Sequence, residues 1–414
     1  RLGLALYDHL GFRKILPGTS SVNLNTGVLE STLKNKYKFG YEYSDCWVDD
    51  SRLVILNAVD AAKNGAKLQN YTKVTKVTKS DGIWLITTTD SIDNTQNTIK
   101  AKSFINASGP WVDDVLQESF SNKNTKNVRL VRGSHIVVNK LYDHDKSFIC
   151  QNDDGRIFFM IPYEDKFTLI GTTDIDHSRS ASEVEISEEE KQYICDSANT
   201  YLNSEIKLSD IVWSYSGVRP LYDDGASKAQ EATRDYVIKA EEHDSSLMIN
   251  IFGGKITTYR RLSEAILKHI ETFLGQRGNP WTDNSSLPGG DFDVDGLFDL
   301  NNKIQEKYPF LNEEIVKRLV RSYGTVSFDI FASATNIESL GESFGSGLYE
   351  KEVVYLVQNE WARTSEDILF RRSKLGLSLT KNEKQKLDQF LEKYQKLSKT
   401  SESSVKQDNI AETV

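Results

Sequence analysis

Phe252-Gly253-Gly254-Lys255-Ile256-Thr257-Thr258-Tyr259-Arg260 joins an apolar run, residues 246–252, to a strong helical pattern over residues 257–274. The order is strand, glycine turn, helix. Two glycines let a backbone approach a ligand closely at a helix start, where free N–H groups and the positive end of the helix dipole favour negative charge. The same residues also read as an ordinary tight turn, and by themselves they leave both readings open. A second junction of this kind lies upstream. Residues 101–107 (A-K-S-F-I-N-A) read as a strand, and Ser108-Gly109-Pro110 supplies a cap, a flexible turn and a first-turn proline before Trp111-Val112-Asp113-Asp114. Strands that lead through glycine turns into helices make this an α/β protein.

Outward from these junctions, Leu53, Leu56, Ala58, Val59 and Ala62 favour one helical face over residues 52–64, with Gly65 where a left-handed C-terminal cap belongs. Residues 72–79 and 83–89 form a hairpin about Asp81-Gly82. Strand signals then dominate at 128–138, 157–161, 167–172, 211–215 and 246–252, broken by one surface helix over 187–202. Such a sheet suits a substrate domain laid against a nucleotide domain. Past Leu287-Pro288-Gly289-Gly290 strand signals largely disappear. Asn312 caps a helix with Ile315, Leu319 and Val320, and another carries Val353, Val354, Leu356, Val357 and Trp361. After about Lys396 apolar residues run out, which predicts a disordered tail. At the other end, Arg1 is not an initiator methionine and Leu2, Leu4, Leu6 and Leu10 read as helix, so a missing N-terminal segment is expected.

The 414 residues, 38% of them apolar and 27% charged, suffice for roughly two or three globular domains. A net charge of −9 argues against broad nucleic-acid affinity, so any phosphate bound here should be small. Cys46, Cys150 and Cys195 lack metal-ligand spacing and fit no disulfide framework, which points to a reducing cytosol and to no metal. No apolar run approaches the ~18–20 residues of a membrane span.

Chemistry concentrates in three further places. Ser216-Gly217-Val218-Arg219-Pro220 sets an arginine in a turn that closes an aromatic-rich strand, and Arg234 follows in Thr233-Arg234-Asp235-Tyr236. Two guanidinium groups in one pocket would match a phosphate; equally, each could pair with a nearby acid such as Asp235. His135, in Arg132-Gly133-Ser134-His135, could take a hydroxyl proton, since the reference imidazole pKa is about 6.5, or could be structural. Gly171-Thr172-Thr173-Asp174 reads as support for a pocket wall or as a β-turn. No G-x-G-x-x-G follows any strand; Gly345-Ser346-Gly347 lacks the third glycine and stands in the helical part.

Taken in order, Tyr43 to Asp50 (Y-S-D-C-W-V-D-D), Ile105-Asn106-Ala107-Ser108-Gly109-Pro110-Trp111, Gly133 to Val138 (G-S-H-I-V-V), Ile170 to Asp174 (I-G-T-T-D), Tyr215 to Pro220 (Y-S-G-V-R-P) and Phe252 to Arg260 closely resemble the FAD-dependent glycerol-3-phosphate dehydrogenases. The likeness extends to Tyr308-Pro309-Phe310-Leu311 and so covers nearly the whole chain. It implies a Rossmann-like FAD-binding domain, incomplete at its N-terminus, with an antiparallel-sheet substrate domain, together over residues 1–285. An all-α C-terminal domain over 286–396 and a tail over 397–414 complete the expected organisation.

The resemblance implies oxidation of sn-glycerol 3-phosphate to dihydroxyacetone phosphate, electrons passing from FAD to a quinone. It implies a cytoplasmic protein, peripheral on the inner face of the membrane, for which a homodimer is one expected state. By the same resemblance Arg219 and Arg234 hold the substrate phosphate while His135 and Lys255 face the reacting carbinol. His135 is the leading base; Lys255 is the alternative if burial near other cations depresses its pKa. Gly253, Gly254, Ile256 and Thr257 lie under the isoalloxazine, Ser108 and Gly109 line the cofactor channel, and Val74 offers a backbone contact to adenine. Rival readings are an oxygen-using glycerol-3-phosphate oxidase, a related FAD amino- or hydroxy-acid oxidase, and an inactive fragment without the pyrophosphate site.

Overall fold

The computed structural model describes residues 2–9, 16–120, 126–223 and 235–411, and the chain divides into two units. One comprises Arg1–Trp47 and Tyr71–Pro280, the other Val48–Asn70 and Trp281–Val414.

The first unit carries the strands. After the short antiparallel pair β1 (Ser20–Asn23) and β2 (Phe39–Glu42) comes a meander of β3 (Thr72–Ser80), β4 (Ile83–Asp90) and β5 (Gln96–Ala101). Asp81 and Gly82, at φ 51° and 73°, give the β3–β4 turn the positive φ at both central positions that a two-residue hairpin favours. Val77, Trp84 and Ile86 point to one buried face, as period-two alternation requires. β6 (Ser103–Asn106) follows at once.

Residues 101–107 are therefore not one strand. Ala101 pairs with Trp84 in the meander, whereas Ser103 to Asn106 run parallel to Leu247 to Asn250 of another sheet. The chain changes sheets at Lys102, and its distant partners dictate the break.

Next come β7 (Val128–Asn139), β8 (Phe148–Gln151), β9 (Ile157–Tyr163), β10 (Phe167–Gly171), β11 (Ile175–Asp176) and β12 (Ile211–Tyr222). They form one antiparallel six-stranded sheet in which β7 pairs with β12 along one edge and with β10 and then β11 along the other. Ile136 and Val138 face the helix Glu188–Tyr201, whose Ile194, Cys195 and Ala198 join them in a buried cluster. That helix begins with a capping box. Ser187 accepts from the Glu190 N–H while the Glu190 carboxylate accepts from the Ser187 N–H.

Finally β13 (Val237–His243) and β14 (Ser246–Phe252) build a small sheet with β6. β14 lies between an antiparallel and a parallel neighbour and is buried at all seven positions, which accounts for its unbroken apolar run. The Trp84 indole donates to the Leu247 carbonyl at 2.9 Å and ties the meander to this strand.

The described part of the second unit is built of helices around one core that includes Ile304, Tyr308, Leu319, Phe331, Phe344, Val353 and Leu387. Asn312 caps the helix Glu313–Tyr323 as its sequence suggests, its side chain accepting from the Ile315 N–H. The helix Asp50–Lys63, capped by Asp49, also belongs to this unit, although it lies far upstream in sequence. Its buried Arg52 reaches the Glu360 carboxylate with both terminal nitrogens, at 2.6 and 2.8 Å, and the Ser322 carbonyl with Nε at 2.9 Å. The last helix, Lys381–Ala411, continues into the stretch where composition suggested a disordered tail; its Lys, Glu and Gln are good helix formers.

Candidate functional site

β6 and β14 are parallel neighbours, so their carboxyl ends lie side by side, and each leads through glycine into a helix start. After β6, Gly109 (φ 57°) opens a 3-10 turn, Gly109–Trp111, that runs into the helix Val112–Phe120. After β14, Gly253 and Gly254 (φ 70° and 103°) precede the turn Ile256–Thr258 and the helix Tyr259–Leu274. The expected helix over 257–274 thus begins with a tighter 3-10 turn. Gly253 is also sterically fixed, because a Cβ there would stand 3.0 Å from the Asp235 carbonyl. The two strand ends are pinned together: Asn106 donates to Asn250 Oδ1 and to the Val112 carbonyl, both at 3.1 Å, and accepts from Ser108 Oγ at 2.5 Å. A crevice beyond the carboxyl ends of parallel strands, edged by helix starts, is where α/β folds bind ligands.

A second arrangement lies on the antiparallel sheet. Val131, Gly133 and His135 alternate onto one face of β7, and opposite them on β12 stand Arg219, Gly217 and Tyr215. The two glycines lower the sheet between His135 at one end and the arginine at the other. His135 stacks on Tyr215 with centroids 5.0 Å apart and planes 11° from parallel. On its other side the ring covers Gly171, where a Cβ would stand 2.8 Å from Cγ. Glycine inside a strand often marks such a close approach.

Arg219 reaches over Gly133 and pairs with Asp174. Arg219, Asp174, Gly254, Lys255 and Ile256 all line one cavity of about 350 Å³. The structure therefore gathers Arg219 with the glycine turn and Lys255, and sets His135 on the face that carries Arg219. Lys255, Ile256 and Thr257 are exposed, and His135 is half-buried. Val74 sits at a bulge of β3, where Thr75 drops out of the ladder, and its side chain packs against the cluster around Trp84. Arg234 lies outside the described residues.

On the reverse of the sheet is Glu190, a residue that reading for chemistry passed over. Its buried carboxylate accepts from Ser134 Oγ (2.8 Å), Thr173 Oγ1 (2.9 Å) and Arg132 Nη2 (2.8 Å). The Ser187-x-x-Glu190 spacing was the visible signal. A larger cavity, about 630 Å³, is lined by Asp113, Asp114, Arg129, Asp176 and Arg179 among others. Its charges are partly satisfied within the fold. A bidentate bond from Arg129 (2.7 Å twice) holds Asp176 below the usual carboxylate range, and Asp113 is taken by Asn127 and the Val128 N–H. The convergence of candidate residues favours the smaller cavity. Among the described residues no group of three His, Cys, Asp or Glu could hold a metal, and no helix is long and apolar enough to cross a membrane.

Residues 18–260 match the FAD dependent oxidoreductase family, and residues 280–404 match the C-terminal domain of alpha-glycerophosphate oxidase. Over 93% of its length the chain is 42% identical to D-erythritol 1-phosphate dehydrogenase of Brucella abortus. Over 95% it is 40% identical to glycerol-3-phosphate dehydrogenase of Pseudomonas aeruginosa, and it spans 76% of each relative. Among solved structures, glycerol-3-phosphate dehydrogenase of Bacillus halodurans complexed with FAD superposes with a TM-score of 0.69. That match is 24% identical and covers 91% of this chain and 81% of the other; it establishes the shared fold.

Proposed function

Because this chain belongs to the FAD-dependent oxidoreductases and carries the C-terminal domain of the alpha-glycerophosphate oxidases, we propose that it oxidises sn-glycerol 3-phosphate to dihydroxyacetone phosphate. One observation carries the substrate reading: Arg219 and Lys255 line a single cavity, on a sheet face that also bears His135. Two cations suit a phosphate, which offers more charge and more acceptor oxygens than a carboxylate. This disfavours an amino- or hydroxy-acid oxidase.

The residues at the carboxyl ends of β6 and β14 fit the flavin end of FAD. Their glycines keep the backbone bare, Gly109 faces open space, and two helix starts favour negative charge. Ser108, Gly109, Gly253, Gly254, Ile256 and Thr257 would hold it there, with Val74 as a more distant backbone contact. The 414 residues contain no G-x-G-x-x-G for the pyrophosphate. Bound FAD supplies the hydride acceptor.

The chain's own residues do the rest. Arg219, with Arg234, holds the phosphate, while Lys255, lining the same cavity, and His135, on the same sheet face, stand toward the reacting carbinol. His135 takes the C2 hydroxyl proton, its ring plane fixed between Tyr215 and Gly171. A quinone is the expected acceptor, reached by peripheral attachment to the inner face of the cytoplasmic membrane. A second reading, D-erythritol 1-phosphate as substrate, draws on the 42% identity to the Brucella enzyme.

Anaerobic titration of the flavin-loaded protein tests all of this. Glycerol 3-phosphate should bleach the flavin faster than D-erythritol 1-phosphate does. The reverse order selects the second reading, and a protein that holds no flavin overturns both. Peroxide release during aerobic turnover would replace the quinone by oxygen.

A further inference from the structure

Arg219 does not wait in the cavity as a loose cation. Its Nη1 is ion-paired with the Asp174 carboxylate, and the guanidinium lies so close over Gly133 that a Cβ there would stand 2.8 Å from Nη1 and 3.0 Å from Nη2. Asp174 is itself held from behind. The preceding residue, Thr173, donates its hydroxyl to Glu190 at 2.9 Å and accepts from the Ser134 N–H at 3.0 Å, so the chain that presents Asp174 is fastened to β7. Thr172 Oγ1, which donates to the Thr173 carbonyl at 2.9 Å, closes the seat beside Gly133.

We propose that Asp174 is a positioning residue: it holds one edge of the Arg219 guanidinium so that the remaining donors face the cavity and take the substrate phosphate. The inference rests on the reading of Arg219 as a phosphate ligand. A guanidinium presents five N–H donors in a rigid fork, and a phosphate is best met by two parallel ones. An arginine pinned before the ligand arrives has already lost its side-chain freedom, so binding does not have to supply that ordering.

A carboxylate beside an anion site also repels the ligand. Two features weaken that effect here. Arg219 and Lys255 against Asp174 leave the cavity lining with a surplus of one positive charge (two cations less one anion). The Arg219 and Asp174 side chains are 40% and 25% exposed, so water screens the repulsion while the geometry of the pair persists.

The test compares Asp174→Asn, Arg219→Ala and Gly133→Ala in the flavin-loaded enzyme. It reads the Kd of dihydroxyacetone phosphate by calorimetry, and KM and kcat with glycerol 3-phosphate. Arg219→Ala should weaken product binding by roughly 10–100-fold, the loss expected for a charge-assisted contact. Asp174→Asn should weaken it by roughly 5–20-fold, with KM rising in step and kcat falling much less, because orientation of a binding group is lost. Gly133→Ala crowds the guanidinium and Thr172 Oγ1 while keeping the Asp174 carboxylate in the chain, and should raise the Kd in the same sense.

If Arg219→Ala leaves Kd and KM unchanged, the phosphate reading fails and Asp174 falls with it. If Arg219→Ala weakens binding but Asp174→Asn leaves it equal or tighter, only the positioning role is overturned. Should Asp174→Asn fail to fold, Gly133→Ala decides, and unchanged binding in that variant refutes the seat.

Discussion

His135 owes its place to what its neighbours lack. A side chain at Gly171 would occupy the space of the imidazole, one at Gly133 would strike the Arg219 guanidinium, and Gly217 keeps the sheet bare beside them. With the ring also stacked on Tyr215, its orientation is set before substrate arrives, as an efficient proton acceptor requires. His135→Gln keeps a hydrogen-bonding side chain but takes up no proton. Stopped-flow reduction by glycerol 3-phosphate should therefore slow by about 10²–10⁴-fold, with flavin content and substrate affinity within a few-fold of wild type. An unchanged rate would make His135 only a wall of the pocket and direct attention to Lys255. The sequence made His135 and Arg219 visible as residue types in suggestive settings. It did not show that Arg219 pairs with Asp174, and Asp235 was as plausible an acid on sequence alone. Which carboxylate an arginine meets depends on strand register, and that is settled only once β7, β10 and β12 are aligned.

Among the elements, the helix Glu188–Tyr201 is more than cover for the sheet. Glu190 closes the capping box at its N-terminus and at the same time accepts from Ser134 on β7 and Thr173 after β10. Ser134 is within 2.8 Å of Ser216 on β12, so one buried carboxylate ties three strands at the level of His135. Removing it leaves Arg132, Ser134 and Thr173 without that acceptor. Glu190→Ala should destabilise by about 3–5 kcal/mol, the cost of breaking a buried charged network. For a unit of this size that is a fall in Tm on the order of 10 °C. Calorimetry of the variant checks it, and a Tm within a degree or two of wild type would show that water replaces the carboxylate. Elements whose signals are local were legible: the Asp81-Gly82 hairpin, the Asn312 cap and the Gly253-Gly254 turn. The break between β5 and β6 was not, since Ser103 finds its partner at Leu247, more than a hundred residues away.

On the scale of the whole molecule, the second unit takes in Trp281–Val414, and it also takes Val48–Asn70 from far upstream. Nothing local to that segment announces this. Its amphipathic helix could face any core, and it is long-range partners, chief among them the pairing of buried Arg52 with buried Glu360, that tie it to the helical unit. Arg372 donates to the Glu360 carbonyl at 2.7 Å, and Asn70 donates to the Trp361 carbonyl at 2.5 Å, so both ends of the segment are held at one place. A fragment of residues 281–396 keeps nearly all of the apolar core but leaves the Glu360 carboxylate buried beside Arg372 alone, which approaches it only to 3.9 Å. Stranding one member of a buried ion pair costs about 3–5 kcal/mol, a large share of the 5–15 kcal/mol that stabilises a typical domain. The fragment alone should therefore melt without a cooperative transition, or at a much lower temperature than the same fragment joined to residues 48–70 by a flexible tether. Replacing Arg52 by Met in the tethered form should remove most of the gain, because Met fills the space but offers Glu360 no donors. If the untethered fragment melts as sharply and as high as the tethered one, the segment is an accessory to the helical unit and Glu360 finds its charge partner elsewhere.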